Sequence, residues 1–600
     1  MKETKQPKDW AIKTLVAEEV YTDRDYFLDY FYKTALNART RRTMSTVLLG
    51  QRRMGKTEIF KRVVNRLFFE QDYRDPEAVV PVYFSFSDTF KDRWDFAAKY
   101  VENVIRWYVA FRLRDKRILS KRNVKLPQLQ EIVQQKVIMT TGFEGSLELL
   151  DCFLEKTGVV IPEQVALYYP RDVSDSDDST IVVFLDEFQN LRLPQFDFDV
   201  VGYMQEAVES PTCPHFITGS AMSILAREIL GKGSLYGRFD HEPIEALTGY
   251  WGTELTHNAA KYYKGQVSEE MAPIVAERCG GNPFYITAVI RRAAKLGEGI
   301  FDEETLNAIL AVDLSSGFIF SELSDQVNKW IERINEYGIT KWVLYLSALE
   351  EGERFDLARI QQQLIEKEGQ HVSLEKIREV LIKLSRGDLI DYRLGGWFRK
   401  INDPILVDFL KVWGRIEVEG MEQNWVRENL LEEYNRFKRQ IHEFKGYLAE
   451  VYMAQILLNA RKQTLPGHCF HHPQDIKIPD FIYVVLRQRL GAGPNAEIDV
   501  HGGAGLEQWV AESKWYEDRK IGIKDIKKLL DKAEVVRKHR NADLIRTWFF
   551  AYDGFTEKAE VFMQEKGVLW STQSDLDALL DLVNLRRLPS FNQRKSGHNQ

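Results

Sequence analysis

Over the first 240 residues, short apolar runs alternate with stretches of helical spacing. "MSTVLLG" (44–50) is an apolar run closed by glycine and predicts a buried strand. "KTEIFKRVVNRLFFE" follows, with apolar residues at Ile59, Val63, Val64, Leu67 and Phe68, the spacing of one helix face. "VVPVYFSFSD", "TIVVFLDEFQNL" and "PHFITGS" predict three more buried strands. Residues 95–170 read as mostly helical, 171–180 ("RDVSDSDDST") as a polar loop, and the aromatic-rich first 40 residues as helical. Strands alternating with helices predict an α/β fold with a parallel, helix-covered sheet over 1–244. Residues 245–335 read as helical, with the turn "CGGNPFY". Residues 336–415 give three helices and a short hairpin, the outline of a winged helix with "YRLGGWFRK" as its wing. A last α/β unit is expected over 427–585 and a disordered tail over 586–600.

Composition narrows the class. The chain has 600 residues, 44% hydrophobic and 28% charged, which implies several globular domains rather than a disordered chain. The net charge of -7 excludes a globally basic nucleic-acid coater but leaves room for a local basic groove. The run "RLRDKRILSKRNVK" (112–125) is either a phosphate contact or a solvated helix face. The four cysteines form no C-x-x-C pair, which argues against a disulfide framework or structural zinc and fits a reducing, cytoplasmic setting. No apolar run of about 18 residues is visible, so no membrane span is expected.

The first candidate chemistry lies in "LLGQRRMGKTEIF". Gly50-x-x-x-x-Gly55-Lys56-Thr57, between a strand and a helix, is the P-loop pattern. Backbone N–H groups from Gly50 through Gln51, Arg52, Arg53, Met54 and Gly55 would cradle phosphates. Lys56 would neutralise them and Thr57 would hold Mg²⁺. The acids ending "IVVFLDEF" complete such a site, with Asp186 as a Mg²⁺ ligand through water and Glu187 polarising the attacking water.

"GQRRMGKT" followed by "FLDEFQ" resembles the archaeal-type ATPases of the AAA+/STAND group. "VYTDRDYF" resembles a segment that these proteins carry before the first strand, and "FITGSAMSIL" resembles their sensor strand. "SLYGRF" and "GGNPFYI" resemble two further pieces. The resemblance covers about 17–410. It implies ATP as ligand, Ser220 as a sensor, Arg238 as a γ-phosphate arginine and Pro283 packed near adenine. In this group the winged helix serves as a lid or relay, or binds duplex DNA. Assembly into a homo-oligomer on ATP binding is a further implication.

The second candidate lies in "NAEIDVHGGAGLEQWVAESKW" (495–515), two strands joined by a Gly-rich turn. A period of two puts Val510, Glu512 and Lys514 on one strand face and Ala511, Ser513 and Trp515 on the other. Antiparallel pairing brings Asp499 beside Glu512. Two carboxylates and a lysine then meet, the hard oxygen donors and the cation that metal-dependent phosphodiester cleavage needs.

Asp499-x(12)-Glu512-x-Lys514 resembles the PD-(D/E)xK nuclease core, and residues 435–580 resemble an Mrr-type, restriction endonuclease-like domain. The resemblance implies Glu512 and Lys514 as catalytic groups and Asp499, Glu512 and Glu450 as ligands for Mg²⁺ or Mn²⁺. Glu443 is a substitute for Glu450, and Asp480 of "Pro-Asp" a rival for Asp499. Together the two resemblances imply an ATP-regulated, Mg²⁺-dependent DNA endonuclease, plausibly in defence against foreign DNA. The alternative is an ATP-dependent DNA-binding switch with an inactive nuclease-like domain. RNA as substrate is not separable from sequence.

Overall fold

The computed structural model describes residues 10–588 except 138–139, 193–197, 199, 220–234, 335–336, 351, 353, 370, 393–396, 437–439, 491–496 and 517–519. Among the described residues the N-terminal unit holds five strands: β1 (Ser45–Leu49), β2 (Val80–Ser85), β3 (Ile181–Asp186), β4 (His215–Thr218) and β5 (Phe239–Pro243). All pairings are parallel, in the order β2-β3-β4-β1-β5. β1, β3 and β4 are wholly buried, as continuous apolar runs in a helix-covered parallel sheet should be. β5 escaped the sequence pattern because "FDHEP" is a largely exposed edge strand. The polar stretch 171–180 is a loop only at its end: the helix Pro162–Ser176 runs into it, since Val173 and Ser174 are buried and Ser174 Oγ donates to the Ser179 and Thr212 carbonyls.

Five helices follow: Gly249–Tyr263, Met271–Arg278, Pro283–Leu296, Glu303–Ser315 and Phe318–Ile334. The stretch Glu303–Glu332 is long and apolar enough on composition to cross a membrane, contrary to the sequence expectation. It packs instead into the helical core through Leu306, Leu310, Leu314, Ile319 and Leu323. The winged-helix outline appears as helices Tyr337–Leu349, Leu357–Glu368 and Leu374–Ser385 with the hairpin β6 (Asp391–Tyr392) and β7 (Phe398–Arg399). Helix Pro404–Glu417 shares one core with the five helices.

The C-terminal unit starts with helix Gln440–Asn459 and a small pair, β8 (Thr464–Leu465) with β9 (Ile476–Lys477). Its main sheet runs β10 (Tyr483–Arg489), β11 (Glu497–Ala504), β12 (Glu507–Lys514), β13 (Leu544–Ala551) and β14 (Leu569–Ser571), in that order. The first two pairings are antiparallel and the last two parallel. One face, with Val500, Trp509, Ala511 and Trp515, packs with helix Gln440–Asn459. The other, with Val510 and Phe549, is covered by helix Ile523–Arg540 through Ile526, Leu529, Ala533 and Val536. The glycines of the hairpin do not all sit in its turn. Gly502 and Gly503 lie within β11, where a Cβ would approach the Phe481 ring to 2.7 Å and the Tyr483 ring to 2.3 Å. Gly505, at φ +65°, makes the two-residue turn with Leu506.

Candidate functional site

At the first site, the P-loop connects the C-terminal end of β1 to helix Lys56–Glu70, which puts a helix N-terminus at the mouth of the sheet. Gly55 caps that helix at φ +92°, a conformation that favours glycine. A Cβ on Gly50 would meet the Ile244 carbonyl at 2.5 Å, so the chain leaving β5 closes against the loop. Lys56 Nζ donates to the Gly50 and Gln51 carbonyls, 2.6 Å each, and so points into the loop. Burial pushes its pKa down to about 8, while Asp388 and Asp186 act to keep it charged. Thr57 occupies the first turn of the same helix, half-buried, and Met54 is buried beneath the loop.

Asp186 ends β3 directly beside Ser85 of β2. Tyr83 Oη donates to Asp186 Oδ2 at 2.8 Å, and the Glu187 N–H donates to Asp186 Oδ1 at 2.8 Å. Glu187 takes φ +57°, a strained backbone for a non-glycine residue and typical of functional positions. Burial, then the Asp186 charge, raises the Glu187 pKa, and Gln189 donates to its carboxylate. The donor set of P-loop, hydroxyl and buried carboxylate fits a nucleotide with Mg²⁺. Tyr83 escaped the sequence reading because it lies on a different strand, joined to Asp186 only by the parallel register.

The turn "GGNPF" comes to the P-loop. The Asn282 side chain caps helix Pro283–Leu296 and lies 3.5 Å from the Arg52 carbonyl, with Pro283 as the first residue of the helix. The Arg53 guanidinium sits 4.2 Å from the Phe284 ring centroid and 3.3 Å from the Glu322 carboxylate. Tyr285 Oη donates to Asp403 at 3.1 Å, and Asp403 caps helix Pro404–Glu417. One chain of contacts thus joins P-loop, helical unit and winged helix.

One expectation changes. Arg238 precedes β5, whose first residue Phe239 lies beside Ser45 at the start of β1. It therefore sits at the opposite end of the sheet from the P-loop, roughly 16 Å away by strand rise, and pairs with Glu209 at 2.7 Å. It is no γ-phosphate arginine for its own chain. Ser220 lies outside the described residues. The basic run 112–125 is engaged by its own chain: Arg112 and Arg114 by carbonyls, Arg117 by Asp115 and Lys121 by Glu102.

At the second site, the register of β11 with β12 ends at Val500 beside Ala511, and Asp499 and Glu512 are the next residue of each strand beyond that pair. Lys514 Nζ lies 2.7 Å from Glu512 Oε1 and 3.9 Å from Asp499 Oδ2. The Ser513 N–H donates to Asp499 Oδ2 at 2.9 Å. Burial, then Glu512, raises the Asp499 pKa. Burial opposes the Lys514 charge, but Glu512 and Asp499 outweigh it and raise its pKa. A second lysine joins them: Lys532, from helix Ile523–Arg540, lies 2.5 Å from Glu512 and 3.9 Å from Asp499. Its only signal in the sequence is its place beside the buried stripe, three residues after Leu529 and next to Ala533.

The Glu450 carboxylate is taken by Arg487, although the charges of Asp499 and Lys514 act on it. The Glu450 helix covers the sheet face opposite Glu512, and the carboxylate accepts from Arg487 at 2.8 and 3.2 Å. Arg487 itself stands at φ +50° within β10 and lies 4.6 Å from the Tyr447 ring centroid. Burial and the Asp499 charge raise the Glu450 pKa, against Arg487 and Lys514, which lower it. Among the described residues no group of three or more His, Cys, Asp or Glu could hold a metal ion. Asp499 and Glu512 are the hard-oxygen pair that fits Mg²⁺ or Mn²⁺, with water completing the shell. Asp480 pairs with Lys462 on the exposed surface instead, and the Glu443 side chain lies outside the described residues.

No protein-family model matches the chain, and no curated protein matches it. Solved structures do. The chain is similar to the Walker-type ATPase PABY2304 of Pyrococcus abyssi, with 16% identity over 67% of this chain and 99% of that one, TM-score 0.45. It is also similar to the Aeropyrum pernix ORC1 protein in complex with DNA, with 14% identity over 69% and 93%, TM-score 0.35. A third is the Thermotoga maritima RuvB Holliday junction branch migration motor, with 13% identity over 65% and 95%, TM-score 0.31. At this level of likeness, reaction and partner have to come from the chain's own side chains.

Proposed function

We propose that this chain is an ATP-regulated, metal-dependent DNA endonuclease. The observation that carries the reading is the convergence of Asp499, Glu512 and Lys514 in a unit docked on the helices that cover the P-loop. In the first site Lys56 and the loop N–H groups bind phosphates. Asp186 and Thr57 hold Mg²⁺, and Glu187 orients water. In the second, Asp499 and Glu512 hold the metal and Lys514 stabilises charge developing on the phosphate. The metal would supply Lewis acidity and an activated water.

The joint between the units supports regulation. The Tyr250 and Tyr452 rings meet edge-on at 5.6 Å, and a Cβ on Gly249 would lie 3.8 Å from Leu448. Arg586 reaches Glu254 at 2.5 Å and Glu269 at 2.9 Å, so the expected disordered tail starts as an ordered strap. The helix Gln440–Asn459 thus carries Glu450 on the same element that rests on the helix Gly249–Tyr263. Movement of the lid helices on nucleotide binding would reach the second site through it. Plasmid DNA with Mg²⁺ and ATP tests the reading: wild type should cleave, while Lys514→Ala and Glu512→Ala should not. Intact plasmid in all three, with and without ATP, would sink it.

A second reading has its own observation. Both Glu512 oxygens are held by lysines, as in a site kept for binding alone. An ATP-dependent DNA-binding switch then follows, with nucleotide-dependent DNA retention and no cleavage.

The Lys56 environment sets a pH dependence. Phosphate favours its charged form, and its pKa in the free chain is about 8. Below that pH the lysine is protonated before and after binding. Above it, binding must take up a proton, so affinity falls by up to about tenfold per pH unit. A fluorescent-ATP titration should stay level from pH 7 to 8 and weaken beyond, and affinity holding level to pH 9.5 would contradict this. The position of Arg238 gives another expectation. Arg238→Ala should leave the ATP affinity of the dilute single chain within about twofold, because a charge about 16 Å away, paired with Glu209, contributes little. A tenfold loss in the same titration would show that it reaches its own nucleotide.

A further inference from the structure

Two ammonium groups close on one carboxylate in the second site. Lys514 takes Glu512 Oε1 and Lys532 takes Glu512 Oε2, at 2.7 and 2.5 Å. Lys532 also stands 3.9 Å from Asp499 Oδ1, so its charge is shared between the two carboxylates. Its side chain is 10% exposed. Nothing in the E-x-K spacing requires a second lysine. Burying a long cation costs hydration and rotamer freedom, and among the described residues these two acids are the partners that offset it.

We propose that Lys532 is a tethered counter-cation, which occupies the place between Asp499 and Glu512 that a hard divalent ion needs and holds the affinity for that ion down. The inference rests on the reading of this pair as a metal site. A divalent ion must take carboxylate oxygens. Here both Glu512 oxygens are engaged, and Asp499 Oδ2 already accepts the Ser513 N–H. The ammonium and the metal compete for the same lone pairs. The helix that carries Lys532 is anchored by Ile526, Leu529, Ala533 and Val536, so the charge stays nearby when the four-carbon stem swings aside.

Mn²⁺ binding to the full chain, followed by electron paramagnetic resonance, tests this. Lys532→Met keeps the stem and removes the charge, and Lys532→Gln keeps a hydrogen bond. Both should bind Mn²⁺ at least about tenfold more tightly than wild type, since a unit charge within 4 Å of the ion is removed. Asp499→Asn should lose that binding. Circular dichroism and melting identify any variant that fails to fold, and either lysine variant alone suffices. Unchanged or weaker Mn²⁺ binding in a folded lysine variant overturns the inference, as does no binding in any protein. Plasmid cleavage measured in parallel separates the two claims. Tighter Mn²⁺ without cleavage leaves the counter-cation standing and removes the nuclease. Cleavage with unchanged Mn²⁺ affinity does the reverse.

Discussion

Lys56→Ala is expected to weaken ATP binding at least about a hundredfold and to abolish hydrolysis. Two charge-assisted hydrogen bonds to phosphate, at about 1.5–3 kcal/mol each, set that scale. The same substitution should not destabilise the fold. Burial lowers the Lys56 pKa from 10.5 to about 8, so the charged form is disfavoured in the folded chain. Between those two values the unfolded chain binds more protons than the folded one, and stability rises with pH. Wild type should therefore gain stability from pH 8 to 10 relative to Lys56→Met, while at pH 7 the methionine variant melts no lower. A drop in melting temperature for Lys56→Met at pH 7 would mean that the loop contacts to Gly50 and Gln51 outweigh the burial penalty.

The second large effect is at Glu512. Glu512→Gln should lower DNA cleavage at least about a hundredfold, the scale of removing one group that stabilises the transition state. It should also destabilise the C-terminal unit. The Glu512 side chain is 8% exposed and neutralises both Lys514 and Lys532, so its loss leaves two poorly hydrated cations with Asp499 alone. Breaking such a buried pair costs about 3–5 kcal/mol. Adding Lys532→Met should restore most of that stability and none of the cleavage. A double mutant no more stable than Glu512→Gln would show that the two side chains are not energetically coupled.

The parts of both sites legible in the sequence are those joined by local backbone. Gly50 to Thr57 and the pair Asp186-Glu187 lie next to each other along the chain, so strand, turn and helix N-terminus place them without help. Asp499, Glu512 and Lys514 were legible because a period of two and a tight hairpin fix which side chains face each other. The misses share one cause, long-range orientation. Arg238 looked like a phosphate ligand until the strand direction put it at the far end of the sheet. Glu450 counted as a free third acid until Arg487, from β10, took its carboxylate. Lys532 is one of many basic residues in "IKDIKKLLDKAEVVRKHR", and only the rotation set by its buried neighbours turns it inward. Arg487 reaches Glu450 from a left-handed backbone that no residue pattern in β10 announces. β5 was missed for a simpler reason: an exposed edge strand need not be apolar.

The contacts from Arg53 through Phe284 and Tyr285 to Asp403 tie the P-loop to the lid helices, and Arg586 ties the C-terminal unit to helix Gly249–Tyr263. One measurement tests that connection and both sites together. Mg²⁺-dependent cleavage of plasmid DNA is followed in wild type and Lys56→Ala, each with and without ATP. The account predicts that ATP changes the cleavage rate of wild type at least about tenfold, the scale of a 1.4 kcal/mol coupling, and leaves Lys56→Ala at its nucleotide-free rate. Equal rates in all four reactions, or no cleavage in any, would contradict it.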